Sequence, residues 1–288
     1  MVGLSDYREV RFGEWRIRAL DNLWSSKLQD QVLELVRAQA PARHPQTIEL
    51  SHQLDGAEQR LFLKVFHHMT RFAAVKDQLR RSRAFGSWRQ GLALAAAGFK
   101  APLAIAVGSE SGLRVAGREF ILTAQIAGAP LTTYLSGESA GRAAALSFKR
   151  ANIKSLGHMI RRFHEASFVH GDLVATNIFV VDNGTENLEF YFMDNDRTRR
   201  YPSWFHQPFW KRNLIQLNRM PLAGISLQDR MVFLHAYLNV NRLSAADRRF
   251  ARWLEARTRQ RRKQCDGADP TVSFRRLMRW APEMAGRL

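Results

Sequence analysis

Two short apolar runs near the middle of the chain each carry a cluster of polar residues at one end, and few folds can use both clusters together. The first cluster lies in Phe168-Val169-His170-Gly171-Asp172-Leu173 with Asn177, just ahead of the run Ile178 to Val181. The second follows the run Phe190 to Met193 and reads Asp194-Asn195-Asp196-Arg197. Between the runs stands Asn183-Gly184, a dipeptide suited to a tight turn, so the runs are expected to pair as neighbouring strands of a small ribbon. That pairing brings Asp172, Asn177 and Asp194 toward one point, although Asp172 and Asp194 are 22 positions apart. Carboxylate and amide oxygens of this kind are what a hard cation such as Mg²⁺ takes as ligands, usually shared with phosphate oxygens. A carboxylate that stays off the metal can accept the proton of an attacking hydroxyl.

On either side of this centre the hydrophobic period changes character. Trp15 to Leu20 alternates, Thr47 to Leu54 alternates less cleanly, and Asp30 to Ala40 reads as a short amphipathic helix closed by Pro41. Arg60 to Phe66 puts Leu61, Leu63 and Val65 on one strand face and Phe62, Lys64 and Phe66 on the other. Residues 71–97 read as a helix stopped by Gly98, with strands expected at Leu103 to Val107 and Glu119 to Gln125 around a glycine-bounded turn, Gly108 to Gly117. Gly128-Ala129-Pro130 breaks the pattern, and helices dominate beyond it. The segments Ala143 to Ala166, Trp204 to Leu217 and Leu227 to Leu238 are expected to be helical. Ser244-Ala245-Ala246-Asp247 is a capping-box-like start for a basic helix reaching about Gln264.

The spacing His-x-Asp-x-x-x-x-Asn, followed by a strand ending in Asp, is that of the catalytic-loop and metal-loop pair of protein-kinase-like phosphotransferases. The expectation is an α+β, two-lobed, protein-kinase-like fold. A strand-rich N-lobe at residues 1–127 would hold nucleotide, and a helical C-lobe at 128–288 would hold the catalytic loop, the metal loop and the basic C-terminal helices. Ahead of such a loop, Lys64 resembles the strand lysine that holds nucleotide phosphates.

Charge narrows the partners. The 44 Lys and Arg against 26 Asp and Glu leave a net +18, which favours anionic partners: nucleic acid, acidic lipid headgroups or a phosphorylated glycan. The lone Cys265 excludes an intramolecular disulfide and suits a reducing compartment. No apolar run nears the ~18 residues of a membrane span, and the N-terminus has no signal pattern, so a cytoplasmic protein is expected. Arg248, Arg249, Arg252, Arg257, Arg259, Arg261, Arg262 and Lys263 form one dense cationic stretch, readable as a solvated helix face or as a surface for acidic lipid or lipid A phosphates. Nucleic-acid binding fits the charge too, but no recognised module accompanies it.

With these residues in view, the chain resembles the lipopolysaccharide core kinases, the Kdo/heptose kinase family. The resemblance rests on the His170 loop with Asn177, on Met193-Asp194-Asn195-Asp196-Arg197-Thr198-Arg199, and on Arg212-Asn213-Leu214-Ile215-Gln216-Leu217-Asn218. It implies ATP- and Mg²⁺-dependent phosphorylation of an inner-core sugar hydroxyl. The acceptor would be lipopolysaccharide core or lipid A-core, at an anionic inner-membrane surface, with no obligate protein partner implied. Asp172 would be the base or orienter, with His170 in the same catalytic loop, holding it by hydrogen bonds. Asn177 and Asp194 would ligate Mg²⁺, Lys64 would hold the nucleotide, and Asp196 would support the metal or pair with Arg197 or Arg199.

Gly171 stands where regulated protein kinases usually carry an Arg, and Asn195-Asp196 replaces Phe-Gly, both of which point to a glycan or small-molecule kinase. Two features depart from the usual pattern. The phosphate loop, Ser51 to Arg60, has only Gly56, and between Lys64 and Gly98 the single acid is Asp77, with no Glu near 84–87 to pair with the lysine. A pseudokinase scaffold in envelope biogenesis and an aminoglycoside-type phosphotransferase are the alternative readings.

Overall fold

The computed structural model describes residues 2–42, 44–54, 57–67, 82–110, 117–136, 146–185, 187–202, 207–219 and 225–265. Gly56, Asp77 and the 71–81 part of the expected helix lie outside them, as do residues 111–116 of the expected turn. Two compact units divide the chain: Met1–Ile126 with Asp194–Arg197, and Ala127–Met193 with Thr198–Leu288.

In the first unit the strands β1 (Tyr7–Phe12), β2 (Trp15–Leu20), β3 (Gln46–Leu54), β4 (Ala57–His67), β5 (Ala104–Glu110) and β6 (Arg118–Ala124) form one antiparallel sheet. Its order is β1-β2-β5-β6-β4-β3. Helix α1 (Ser26–Ala38) starts four residues earlier than its apolar pattern suggests, because Ser25 caps it by accepting from the Leu28 N–H at 3.1 Å. It buries Leu28, Val32, Leu33 and Val36 against Ile17, Leu61, Leu63, Val65 and Phe120 on one sheet face. Each such side chain contributes about 1.5–3 kcal/mol when fully buried. Helix α2 (Arg83–Ala96) packs with Ala84 and Trp88 on the other face, against Phe66, Val107 and Ile121. It ends at Gly98, whose φ of +79° is costly for a residue with a Cβ. The period-2 reading of β4 is observed: Leu61, Leu63 and Val65 are all fully buried, and Lys64 and Phe66 share the α2 face. Strand β5 runs on through Gly108, where a turn was expected. A Cβ there would lie 2.3 Å from the Phe120 ring, so this glycine makes room for a core aromatic.

The second unit holds the short β7 (Ala129–Pro130), α3 (Leu131–Ser136), α4 (Leu146–Glu165), β8 (Phe168–Val169), β9 (Ile178–Val181), β10 (Glu189–Phe192), β11 (Arg199–Arg200), α5 (Gln207–Arg219), α6 (Leu227–Leu238) and α7 (Ala245–Cys265). The expected ribbon is present: β9 pairs antiparallel with β10, with Ile178 opposite Phe192, and Gly184 in the connecting turn has φ +76°. Helices α4 and α6 approach closely at Gly157, where a Cβ would come within 2.7 Å of the Phe233 carbonyl oxygen. They are also joined by a buried ion pair, Lys149 Nζ to Asp229 Oδ2 at 2.8 Å. Burial pushes the Asp229 carboxyl up, but the Lys149 ammonium and the Ser226 hydroxyl and N–H outweigh it and hold the pKa below the ordinary carboxylate value. Breaking a buried pair by removing one partner costs about 3–5 kcal/mol, so this contact fixes how the two helices meet. Helix α7 begins at the expected capping box: Ser244 N–H donates to Asp247 at 2.9 Å, and Asp247 N–H donates to Ser244 Oγ at 3.1 Å.

Candidate active site

In the second unit, α4 ends at Glu165, Ser167 turns the chain with φ +66°, and β8 leads into the His170 loop. His170 is 1% exposed and ties two segments together. Its Nδ1 accepts from the Asp172 N–H at 3.1 Å, and its Nε2 meets the Met193 carbonyl oxygen at 2.8 Å. That geometry requires the Nε2–H tautomer. Asn177 closes the loop from its far side, donating from Nδ2 to the Asp172 carbonyl at 2.9 Å. The Met193 N–H in turn donates to the Asn177 carbonyl at 2.9 Å. His170, Asp172 and Asn177 are therefore brought together, and the chain beside them leads directly into Asp194.

Two further residues hold this loop and were not singled out by chemistry in the sequence. Asn213 of α5 is fully buried; its Nδ2 donates to the His170 carbonyl at 2.6 Å and its Oδ1 accepts from the His170 N–H at 2.9 Å. One amide side chain thus replaces a strand partner for that residue. Gln216, one turn further on, donates from Nε2 to Asp172 Oδ1 at 3.0 Å and accepts from the Leu173 N–H at 3.3 Å. The signal for both was an Asn and a Gln three apart among Leu214 and Leu217, since i and i+3 share a helix face. Behind them His164 Nε2 lies 3.2 Å from Asn213 Oδ1, and its Nδ1 lies 3.0 Å from the Tyr237 hydroxyl, whose pKa burial pushes up.

In the first unit, Lys64 on β4 pairs with Asp194, which adopts the left-handed conformation at φ +53°. Asp and Asn tolerate that region better than other residues with a Cβ. The next three residues, Asn195–Arg197, form a 3-10 turn in which Asn195 and Asp196 are buried. Asp196 pairs with Arg83 at the start of α2, a distant partner beyond the metal support or the Arg197 or Arg199 pairing expected from the sequence. No Glu of α2 reaches Lys64; the charge that this helix brings to the metal-loop segment is a cation.

The donor chemistry can be tested against Mg²⁺. Asn177 spends its amide nitrogen on the loop and keeps Oδ1 as an oxygen donor, and Asp194 offers a carboxylate. Mg²⁺ with a nucleotide is commonly held by one or two carboxylates plus phosphate oxygens, and each of these two groups is an oxygen donor of the kind it takes. Among the described residues no group of three or more His, Cys, Asp or Glu is placed to hold a metal by itself.

The mixed sheet-and-helix chain that carries this loop has the protein-kinase-like fold. A solved structure described as WaaP in complex with acyl carrier protein shares the fold, with a TM-score of 0.56 over 80% of this chain and 91% of that one, at 18% identity. The family model "Lipopolysaccharide kinase (Kdo/WaaP) family" matches residues 40–237, and the chain belongs to that family. It is a kinase, with an alcohol group as acceptor. No curated protein sequence matches it.

Proposed function

We propose that this kinase transfers phosphate from ATP to a sugar hydroxyl, of Kdo or heptose, in the inner core of lipopolysaccharide. The observation that carries the reading is the Asp172 carboxylate, held by Gln216 in a loop that is itself fixed by His170, Asn177 and Asn213. Asp172 accepts or orients the proton of the attacking hydroxyl. Asn177 and Asp194 would hold Mg²⁺, which would supply positive charge to neutralise the phosphates. Lys64 has three N–H donors, so it can keep Asp194 and still grip a phosphate oxygen. Residues 1–127 serve as the nucleotide-binding lobe and 128–288 as the catalytic lobe.

Purified protein with labelled ATP and defined core oligosaccharides is expected to give acceptor-dependent, Mg²⁺-dependent transfer. Transfer to an aminoglycoside in preference to core sugar would move the acceptor class. Absence of transfer to every acceptor would favour a pseudokinase scaffold.

The cationic helix supports a peripheral position at the cytoplasmic face of the inner membrane. Arg248, Arg249, Arg252, Arg257, Arg259 and Arg261 are exposed on α7, together with Trp253. Arg262 is not part of that face: it is buried and donates to the Arg219 carbonyl at 2.8 Å. Among the described residues no helix is long and apolar enough to cross a membrane. Each surface Arg contributes about 1 kcal/mol near an anionic bilayer. Changing Arg248, Arg249 and Arg252 together to Ala should therefore weaken sedimentation with anionic vesicles roughly a hundredfold. Unchanged binding, or equal binding to zwitterionic vesicles, would count against this surface.

A further inference from the structure

We infer that Arg83 and Asp196 are positioning residues: their ion pair is the link through which α2 holds the metal-loop turn and so aims Asp194. The inference rests on the phosphotransferase reading above. In protein kinases the corresponding helix contributes a Glu that pairs with the strand lysine. Here Lys64 pairs with Asp194 itself, and the helix reaches the same segment two residues later with the opposite charge.

Arg83 occupies a position that helix stability alone disfavours. It is the first residue of α2, after the N-cap Ser82, whose Oγ accepts from the Phe85 N–H at 3.1 Å. A cation in the first turn opposes the helix dipole. Two acids offset it from outside the helix. Glu119 of β6, itself buried, accepts from the Ala84 N–H at 3.2 Å, and Asp196 takes the Arg83 guanidinium. The guanidinium also lies 4.9 Å from the centroid of Phe66, a ring that the Lys64 ammonium approaches to 5.4 Å. Lys64 and Arg83 thus flank one buried aromatic, Lys64 paired with Asp194 just ahead of the turn and Arg83 with Asp196 inside it.

The Asp196 side chain is only 4% exposed. Removing one partner of a buried ion pair is strongly destabilising, so the contact is a costly one to break. Without Arg83, the turn loses its charge partner on the helix. Asp194 lies two residues away in a left-handed conformation, so its carboxylate direction depends on that turn being held. Partners that orient a metal ligand from behind typically change affinity or activity by roughly 10–100-fold when removed.

The test uses Mn²⁺ in place of Mg²⁺, with binding of Mn²⁺ and a non-hydrolysable ATP analogue read by electron paramagnetic resonance on the full chain. Arg83→Ala and Asp196→Asn are expected to weaken that binding by roughly 10–100-fold and to raise the Mg²⁺ needed for half-maximal transfer. Arg83→Lys should retain most of the affinity, because a single nitrogen makes the contact with Asp196. Arg89→Ala, the same charge change on the same helix, should match the wild type. A lower melting temperature for Arg83→Ala with unchanged Mn²⁺–nucleotide affinity would show a structural role alone and overturn the inference. A wild type that binds no Mn²⁺–nucleotide would overturn the phosphotransferase site, and the inference with it. A wild type that binds, matched by Arg83→Ala, overturns the inference only.

Discussion

Asp172→Ala should lower phosphate transfer to the acceptor by about 10²–10⁴-fold, the range of a positioned general base, while nucleotide binding persists. The carboxylate makes its side-chain contact with Gln216 Nε2 at 3.0 Å, whereas the loop's shape is held through backbone groups: the Asp172 N–H on His170, its carbonyl on Asn177, and both backbone groups of His170 on Asn213. Truncation therefore removes the proposed proton acceptor and spares the contacts that shape the loop. Single-turnover transfer at saturating ATP, beside a nucleotide-binding titration, separates the two effects. A variant with wild-type transfer would mean that the hydroxyl proton leaves by another route.

Asp194→Asn should cost about 10²–10³-fold in transfer, the scale of losing one electrostatic stabiliser in a preorganised site. Asn is the informative replacement because it tolerates the φ of +53° at this position and keeps the shape of the side chain. Ala would add backbone strain to the loss of charge. The substitution also removes the anion that Lys64 pairs with, which leaves the ammonium to phosphate alone. A Mg²⁺ titration of turnover should show a rate that excess Mg²⁺ fails to restore. A wild-type Mg²⁺ response would remove Asp194 from the metal site.

Much of this architecture could be read from local pattern. The β9–β10 ribbon followed from two apolar runs and Asn183-Gly184, and the placement of Lys64 on the helix-facing side of β4 followed from a period of two. Both signals are local, and tertiary packing had no reason to override them. What stayed hidden depends on distant partners. Asp196 has Arg197 beside it and Arg199 nearby in sequence, and nothing local announces the contact it makes with Arg83, 113 positions away. Asn213 and Gln216 stood in a stretch that resembles the family, but what they satisfy, a loop 43 to 44 positions upstream, shows only in the fold. Arg262 read as one more surface charge in a basic run, although it is spent inside the fold on the carbonyl that ends α5.

That last contact has a consequence for where the chemistry takes place. Helix α7 is fastened to α5 at three levels: Phe250 against Trp210, Thr258 accepting from Asn218 at 3.1 Å, and Arg262 on Arg219. Helix α5 is the same helix whose Asn213 and Gln216 grip the catalytic loop. If the outer arginines of α7 rest on lipid headgroups, as proposed, the loop would ride at a height above the bilayer set by two helices fastened to each other at these three levels. The second unit would then act as a spacer as well as a catalyst, admitting hydroxyls that project from the membrane by the matching distance and passing over chemically similar ones nearer to or farther from it.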